Sequence, residues 1–177
     1  MSSPTIQIND KIPQNQILME YNLAPSDQAC SLAPTPVNVT ENLAGKTIAI
    51  VAVPGAFTPT CSERHIPPYI ARENELKEKG VDEVWVLSVN DPFVMAYWGK
   101  SMNSSSSKSV RMLSDGSATF VEALGLELDL TSKFMGVRSQ RWSMVVVDGV
   151  VKFLNIEAGG KLEVSDVATM LKQLTPA

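Results

Sequence analysis

The sequence predicts an α/β fold in which helices flank a central mixed sheet. Residues 47–53 are apolar and small or β-branched without alternation, as in a strand that a parallel sheet buries on both faces. Helical patterns alternate with further apolar strands after this segment, which is the order of connected strand and helix units. Asp148-Gly149 lies between two apolar runs and predicts a β-hairpin late in the chain.

The remaining elements follow in chain order. We predict a helix at 62–79 that Pro67-Pro68 interrupts and Gly80 ends, a strand at 81–89, a helix at 91–102, a strand at 110–113, a helix at 117–124 ended by Gly125, strands at 141–147 and 150–156, and a last helix capped by Ser165. Residues 1–46 are rich in proline and are expected to be irregular, with short edge strands at 5–8 and 17–21. We expect one domain over residues 1–177.

Composition restricts the classes of function. The chain has 177 residues, 44% hydrophobic and 19% charged, which is enough for one sizeable core. A net charge of −4 without a basic cluster argues against nucleic acid as a partner. No apolar run reaches the about 20 residues that span a membrane, and no signal peptide is visible, so we expect a cytoplasmic protein. With one histidine and two cysteines we expect no metal site and no cofactor.

Cys61 is the residue most suggestive of chemistry. It follows the apolar strand at 47–53 after a segment, 54–60, whose prolines and glycine cannot continue a strand. Helical composition begins after it, so Cys61 lies near a helix N-terminus, where unpaired N–H groups favour an anion such as a thiolate. The alternative is a buried structural thiol, which is a common role of free cysteine.

The residues around Cys61 also carry a family resemblance. Pro54-x3-Thr58-x2-Cys61 resembles the active-site motif of the peroxiredoxins, thiol peroxidases with a thioredoxin-like fold. The longer stretch 54–67 resembles the peroxiredoxin 5 class, which includes fungal alkyl hydroperoxide reductases and related fungal allergens. The resemblance extends over nearly the whole chain, through the strand that begins Arg141-Trp142-Ser143-Met144.

The resemblance implies a role for each matching residue. Cys61 would attack a hydroperoxide and become a sulfenic acid. Thr58 would bring its hydroxyl to the thiolate and the peroxide, and Arg141 would supply positive charge and N–H donors. Pro54 would form a wall of the pocket, and the N–H groups of residues 60 and 61 would complete the site. Arg138, which lies nearby in the sequence, is the alternative candidate for the role of Arg141.

Ionisation of the thiol is not sufficient for a fast peroxidase. A more acidic thiol is more often a thiolate near neutral pH, but its thiolate is a weaker nucleophile. The two effects nearly cancel. Donors that align the peroxide and stabilise the displaced oxygen are therefore needed in addition.

Cys30 is the candidate for resolving the sulfenic acid. The resemblance to the fungal branch implies a homodimer in which Cys30 forms a disulfide with Cys61 of a partner subunit, and thioredoxin as the reductant. The sequence leaves open whether this disulfide joins two subunits or closes within one chain. A further alternative is that Cys30 is idle and an external thiol resolves Cys61.

Other functions use the same cysteine. A peroxide sensor or disulfide relay would pass the oxidation of Cys61 to a client protein, and the motif does not separate this function from a peroxidase. His65 follows Cys61 by four residues, which suggests a thiolate–imidazole pair, but a cysteine protease needs an oriented histidine that this pair alone does not establish. A phosphatase needs arginine six residues after its cysteine, and position 67 is proline.

Overall fold

The computed structural model describes residues 3–23, 33–104, 107 and 109–174. The strands are β1 (Ile17–Glu20), β2 (Thr35–Asn38), β3 (Thr47–Val53), β4 (Glu83–Ser88), β5 (Val110–Ser114), β6 (Glu127–Asp129), β7 (Val137–Ser139), β8 (Trp142–Val147) and β9 (Val150–Ile156). The α-helices are α1 (Val39–Leu43), α2 (Ile66–Ala71), α3 (Glu73–Glu78), α4 (Pro92–Ser101), α5 (Thr119–Ala123) and α6 (Val167–Gln173).

A seven-stranded mixed sheet forms the centre of this part of the chain. Its strand order is β2-β1-β5-β4-β3-β8-β9, and β4 runs parallel to both β3 and β5 while the other neighbours are antiparallel. Strands β6 and β7 pair separately as a small antiparallel ribbon. The predicted fold class, a mixed sheet between helices, is therefore confirmed, and so is the β8–β9 hairpin.

Strand β3 is buried on both faces, as its uninterrupted apolar sequence predicts. Ile50 and its even-numbered neighbours face a core that includes residues of α1 and α5. Val51 and its odd-numbered neighbours face a second core that contains Cys61 and residues of α2, α3, α4 and α6. Two layers of helices thus enclose the sheet. Among the described residues no helix has the length and apolarity needed to cross a membrane.

The N-terminal part is more regular than expected. Strands β1 and β2 pair with each other, and β1 also pairs with β5, so this region extends the central sheet. Pro36 lies in β2, which is the edge strand, where the missing N–H of proline does not interrupt a ladder. The predicted strand at 5–8 does not form; Ile6 instead donates its N–H to the Leu124 carbonyl.

The predicted helix at 62–79 is divided into three parts. A π-helical turn spans Cys61–His65, in which the N–H of Ile66 donates to the Cys61 carbonyl, five residues back. Helix α2 follows and contains the two prolines in its first turn, where their missing N–H groups are tolerated. The chain breaks again at Arg72 before α3. A wide turn thus begins at Cys61, and such turns are frequent at functional sites.

The cap of the last helix also differs from the prediction. Asp166, rather than Ser165, caps α6, because its Oδ1 accepts hydrogen bonds from the N–H groups of Ala168 (2.9 Å) and Thr169 (3.1 Å). Ser165 lies one residue before the cap and is completely buried. Its hydroxyl is therefore available for other contacts.

Candidate active site

Cys61 lies in the first turn of the helical segment that follows β3. Its side chain is completely buried and it is a free cysteine. The N–H of Ser62 donates to the Thr58 carbonyl at 3.0 Å, so the N–H groups of Thr60 and Cys61 belong to the first turn, which precedes the helical hydrogen-bond ladder. The structure thus places the sulfur at the strand–loop–helix junction that the sequence predicts.

The loop before Cys61 is held by a hydrogen bond to a residue that follows β4. Asn90 Oδ1 accepts from the Ala56 N–H at 2.9 Å. Arg138 donates from Nη1 to the Val89 carbonyl (3.1 Å) and from Nε to the Met135 carbonyl (2.6 Å). Arg138 therefore joins two backbone segments, and its hydrogen bonds are not with the sulfur. Phe57 adopts a left-handed φ of 58°, which holds the loop in a sharp turn.

Arg141 is the cation that meets Cys61. Its Nη1 donates to Cys61 Sγ at 3.4 Å, and the arginine is only 4% exposed. The pairing of β8 with β3 brings Trp142 opposite Ala52, so Arg141, one residue earlier, reaches the end of β3 where the cysteine loop begins. Among the described residues no carboxylate forms an ion pair with this guanidinium. The buried positive charge is therefore directed at the thiol.

Thr58 lies three residues before Cys61, and the proton of its hydroxyl is engaged in a hydrogen bond. Its Oγ1 donates to the Gly55 carbonyl at 2.9 Å. The role of this hydroxyl toward the thiolate stays a prediction. A hydroxyl whose proton is engaged still offers lone pairs. Thr58 is therefore equipped to accept a hydrogen bond from a bound O–H group.

His65 contacts Arg141 and Ser165. Its Nδ1 lies 3.0 Å from Arg141 Nη1, which can only donate, so Nδ1 is the unprotonated nitrogen of the ring. Its Nε2 lies 3.0 Å from the Ser165 carbonyl and donates to it. Burial is the largest influence on the pKa of His65, and together with the nearby Arg141 cation it lowers that pKa to about 4 against the opposing contribution of Ser165.

His65 is therefore neutral near pH 7. Its hydrogen bonds are with an arginine and a serine, so the suggested thiolate–imidazole pair is not the arrangement that the structure shows. A neutral imidazole that accepts from Arg141 orients the guanidinium.

A cavity of about 380 Å³ lies next to Arg141 and Thr58. Pro54, Thr58 and Arg141 line it, which brings three of the predicted site residues to one surface. The other lining residues are mostly apolar or glycine: Pro59, Thr60, Leu128, Leu130, Lys133, Met135, Gly159 and Gly160. The cavity can accept a small molecule with an apolar part next to the guanidinium that touches Cys61.

Cys30 lies outside the described residues, so the structure assigns it no position. Across the described part of the chain, no cluster of three histidine, cysteine or acidic side chains could hold a metal ion.

The sequence reasoning missed Glu157 and the contacts of Ser165. Glu157 is buried at the end of β9 and accepts hydrogen bonds from residues 163–165. No local pattern marks Glu157, because its partners lie in an irregular segment. For Ser165 the sequence predicted only the role of a helix cap.

The chain is similar to known proteins over most of its length. The sequence profile of the Redoxin family matches residues 7–171. Peroxiredoxin-2B of Arabidopsis thaliana is 49% identical over 131 residues, which cover 74% of this chain and 80% of that protein. Chloroplastic peroxiredoxin-2E-2 of Oryza sativa subsp. japonica is 44% identical over 172 residues, which cover 96% of this chain and 73% of that protein. The crystal structure of reduced Prx3 from Vibrio vulnificus in complex with hydrogen peroxide has a TM-score of 0.85 and 43% identity, covering 97% of this chain and 100% of that chain.

The fold and a buried cysteine beside a buried arginine define a thiol-dependent oxidoreductase with a thioredoxin-like architecture. The chain belongs to the Redoxin family and is a peroxiredoxin, a peroxidase that acts on peroxides. The resemblance to the peroxiredoxin 5 class is confirmed by the structure of peroxiredoxin 5 from Alvinella pompejana, with 29% identity and a TM-score of 0.78 over 96% of this chain and 97% of that one. Relatives from the fungi Malassezia furfur and Lipomyces kononenkoae also match.

The neutral state of His65 predicts a pH dependence of stability. The pKa of this histidine is about 4 in the folded protein and near 6.5 when unfolded, so below pH 6.5 the unfolded chain binds a proton that the folded chain does not. The free energy of unfolding should fall by about 2 kcal/mol between pH 7 and pH 5, measured by urea denaturation of the reduced protein.

The variant His65→Asn is the control for this prediction. It removes the group that titrates and should abolish most of the fall over the same pH interval. An equal fall in the variant and the unmodified protein would contradict the assignment to His65.

Proposed function

We propose that Cys61 is the peroxidatic cysteine and that Arg141 activates both the sulfur and the bound hydroperoxide. The observation that carries this proposal is the 3.4 Å hydrogen bond from Arg141 Nη1 to Cys61 Sγ inside a buried site. A guanidinium stabilises a thiolate, and its remaining N–H donors can stabilise an oxygen anion that develops nearby.

The first chemical step transfers one oxygen atom. The Cys61 thiolate attacks the terminal oxygen of R–O–O–H, the S–O bond forms as the O–O bond breaks, and the electron pair of that bond leaves with RO⁻. The sulfur is oxidised by two electrons to sulfenic acid, and the peroxide is reduced to an alkoxide that takes up a proton to become the alcohol. Arg141 stabilises the negative charge as it moves from sulfur to oxygen.

Thr58 and Pro54 have complementary roles in this proposal. The Thr58 hydroxyl donates to Gly55, so its oxygen accepts a hydrogen bond from the O–H of the hydroperoxide and sets the direction of the O–O bond. The N–H groups of Thr60 and Cys61 belong to the first helical turn and supply further donors. Pro54 lines the same cavity and limits the access of water.

Small alkyl hydroperoxides are the proposed substrates, together with hydrogen peroxide. The apolar lining of the cavity, with Leu128, Leu130 and Met135, favours an alkyl group over a solvated polar one. Hydrogen peroxide needs only the polar end of the cavity, where Thr58 and Arg141 lie.

The catalytic cycle then requires a reductant. In the proposed second step the Cys30 thiolate attacks the sulfenic sulfur, the S–S bond forms as the S–O bond breaks, and the hydroxide that leaves takes up a proton to become water. Thioredoxin then reduces the disulfide. We propose a homodimer in which Cys30 of one subunit resolves Cys61 of the other. What supports this proposal is the resemblance to peroxiredoxins and the fact that Cys30 is the one cysteine in the sequence besides Cys61.

A single turnover tests the proposed chemistry. Fully reduced protein is mixed with one equivalent of tert-butyl hydroperoxide and analysed by intact mass and by a non-reducing gel. We expect loss of both thiols and a disulfide-linked dimer.

The variants Cys61→Ser and Cys30→Ser separate the two steps of this turnover. The first should abolish peroxide consumption, whereas the second should still form the sulfenic acid but not the disulfide. An oxidised monomer with an internal disulfide would contradict the intersubunit link. Survival of both thiols in folded protein for minutes would contradict the proposed role of Cys61.

Two substitutions at Thr58 test the role of its hydroxyl. Thr58→Val is nearly isosteric but lacks the oxygen, so the second-order rate constant with tert-butyl hydroperoxide should fall roughly 100-fold. Thr58→Ser keeps the hydroxyl and should remain within about tenfold of the unmodified protein. The rate is measured by rapid-quench analysis of the remaining thiol. Equal rates in the two variants would show that the hydroxyl has no part in the reaction.

A further inference from the structure

A chain of buried hydrogen bonds continues from Arg141 away from the sulfur. Arg141 Nη1 donates to His65 Nδ1 at 3.0 Å. His65 Nε2 contacts both the carbonyl (3.0 Å) and the hydroxyl (3.2 Å) of Ser165. The Ser165 hydroxyl donates to Glu157 Oε1 at 2.9 Å. The members of this chain are 1% to 5% exposed or fully buried.

The direction of every bond in this chain is determined. The single proton of the Ser165 hydroxyl is given to Glu157, so this oxygen can only accept from His65. The Ser165 carbonyl can also only accept. His65 must therefore carry its proton on Nε2 and present a lone pair on Nδ1, which is the state that can receive a bond from Arg141.

Glu157 holds the segment that contains Ser165. Its Oε1 accepts from the N–H groups of Glu163, Val164 and Ser165, each at 2.8 Å, in addition to the Ser165 hydroxyl. Burial alone raises the pKa of the Glu157 carboxyl, but the donors of residues 163–165 outweigh it and lower the pKa below its ordinary value. Glu157 is therefore a carboxylate at neutral pH and anchors this segment with charge-assisted bonds.

Further groups packed around His65 are compatible with this arrangement. Tyr69 donates its hydroxyl to the Ser165 carbonyl at 2.7 Å and places its ring edge-on to the imidazole at 5.9 Å. Asp166 acts on His65 through its charge and caps α6 through its side chain. Arg141, Glu157 and Asp166 are thus the charged groups that act on the imidazole.

Arg141 depends on this chain for its orientation. Its Nε is buried and has no hydrogen-bond partner among the described residues. The hydrogen-bonded partners of its Nη1 are the Cys61 sulfur and His65 Nδ1. When the sulfur is oxidised in the reaction, the hydrogen bond to the imidazole keeps Arg141 Nη1 in place.

We propose that Glu157 and Ser165 are positioning residues for peroxide reduction, because they fix the His65 tautomer that orients Arg141 toward Cys61. This inference rests on the proposed function of Cys61 and Arg141. It assigns a task in the reaction to the side chains of Glu157 and Ser165, and the residues between them also contribute Gly159 and Gly160 to the wall of the cavity.

The test compares three substitutions in the full-length reduced protein. Glu157→Ala removes the anchor of residues 163–165, and the rate constant with tert-butyl hydroperoxide should fall about 100-fold, as expected for a small displacement of a catalytic group. Glu157→Gln keeps an acceptor oxygen and should recover at least part of this loss. Glu163→Ala is the matched control, because its exposed side chain pairs with Lys161 and should leave the rate unchanged.

The tautomer is measured independently of the rate. His65 is the only histidine in the sequence, so its ring nitrogens are resolved in long-range ¹H–¹⁵N NMR spectra of labelled protein. At pH 7 the unmodified protein and Glu163→Ala should show Nδ1 unprotonated and Nε2 protonated. Glu157→Ala should show averaged tautomers. A purely structural role of Glu157 would lower stability without this change.

The outcomes are distinct. Protonated Nδ1 in the unmodified protein, or a Glu157→Ala variant that keeps both rate and tautomer, would overturn the inference. If Glu157→Ala does not fold, the single variants Ser165→Ala and Glu157→Gln are measured in the same way. An unchanged rate and an unchanged tautomer in both variants would overturn the inference. If the unmodified protein shows the expected tautomer but does not react with peroxide, the proposed function of Cys61 fails while the orientation of Arg141 by this chain stands.

Discussion

The contact between a buried cation and a buried sulfur is the interaction on which the rest of the site depends. An isolated charge in a protein interior is strongly unfavourable unless it is paired. Arg141 is 4% exposed and forms no ion pair with a carboxylate among the described residues, and its Nη1 donates hydrogen bonds to the Cys61 sulfur and to His65. The fold must therefore hold the two groups together, and the surrounding elements can be understood from that requirement.

The scaffold meets this requirement with elements that are distant in sequence. The two helix-containing cores bury β3 on both faces, and the loop that leads to Cys61 begins at its end. The antiparallel neighbour β8 brings Arg141 to the same end of the sheet. The π-helical turn that begins at Cys61 places His65 against Arg141, and the anchored segment after β9 closes the contacts of the imidazole. The Cys61 sulfur and the His65 imidazole thus come from the helical turn that follows β3, and the Arg141 guanidinium comes from the residue before β8. The segment after β9 supports the imidazole.

The sequence predicts those parts of the structure that local patterns determine. The apolar run of β3, the Asp148-Gly149 turn and the change from strand to helix around Cys61 all depend on neighbouring residues, and the structure agrees with each. The positions of Pro54, Thr58 and Arg141 at one cavity followed from the family resemblance. Local patterns could not reveal that Glu157 accepts from residues 163–165, since the bonds join a strand end to an irregular segment. The role of Ser165 as a cap was wrong for a similar reason, because its neighbour Asp166 offers an equally good cap and tertiary contacts take the Ser165 hydroxyl.

The central claim is that Arg141 stabilises the transfer of oxygen as well as the thiolate, and two electrophiles separate these effects. Arg141→Met, with Arg64→Met as a control on the exposed side of the same helical segment as Cys61, is prepared in Cys30→Ser protein so that one thiol remains. Alkylation by iodoacetamide reports the thiolate, whereas tert-butyl hydroperoxide also requires stabilisation of the displaced oxygen. The account predicts that Arg141→Met lowers the peroxide rate constant roughly 100-fold or more, and the alkylation rate constant by less than about tenfold. Equal losses with both reagents would contradict it, since Arg141 would then act on the thiolate alone.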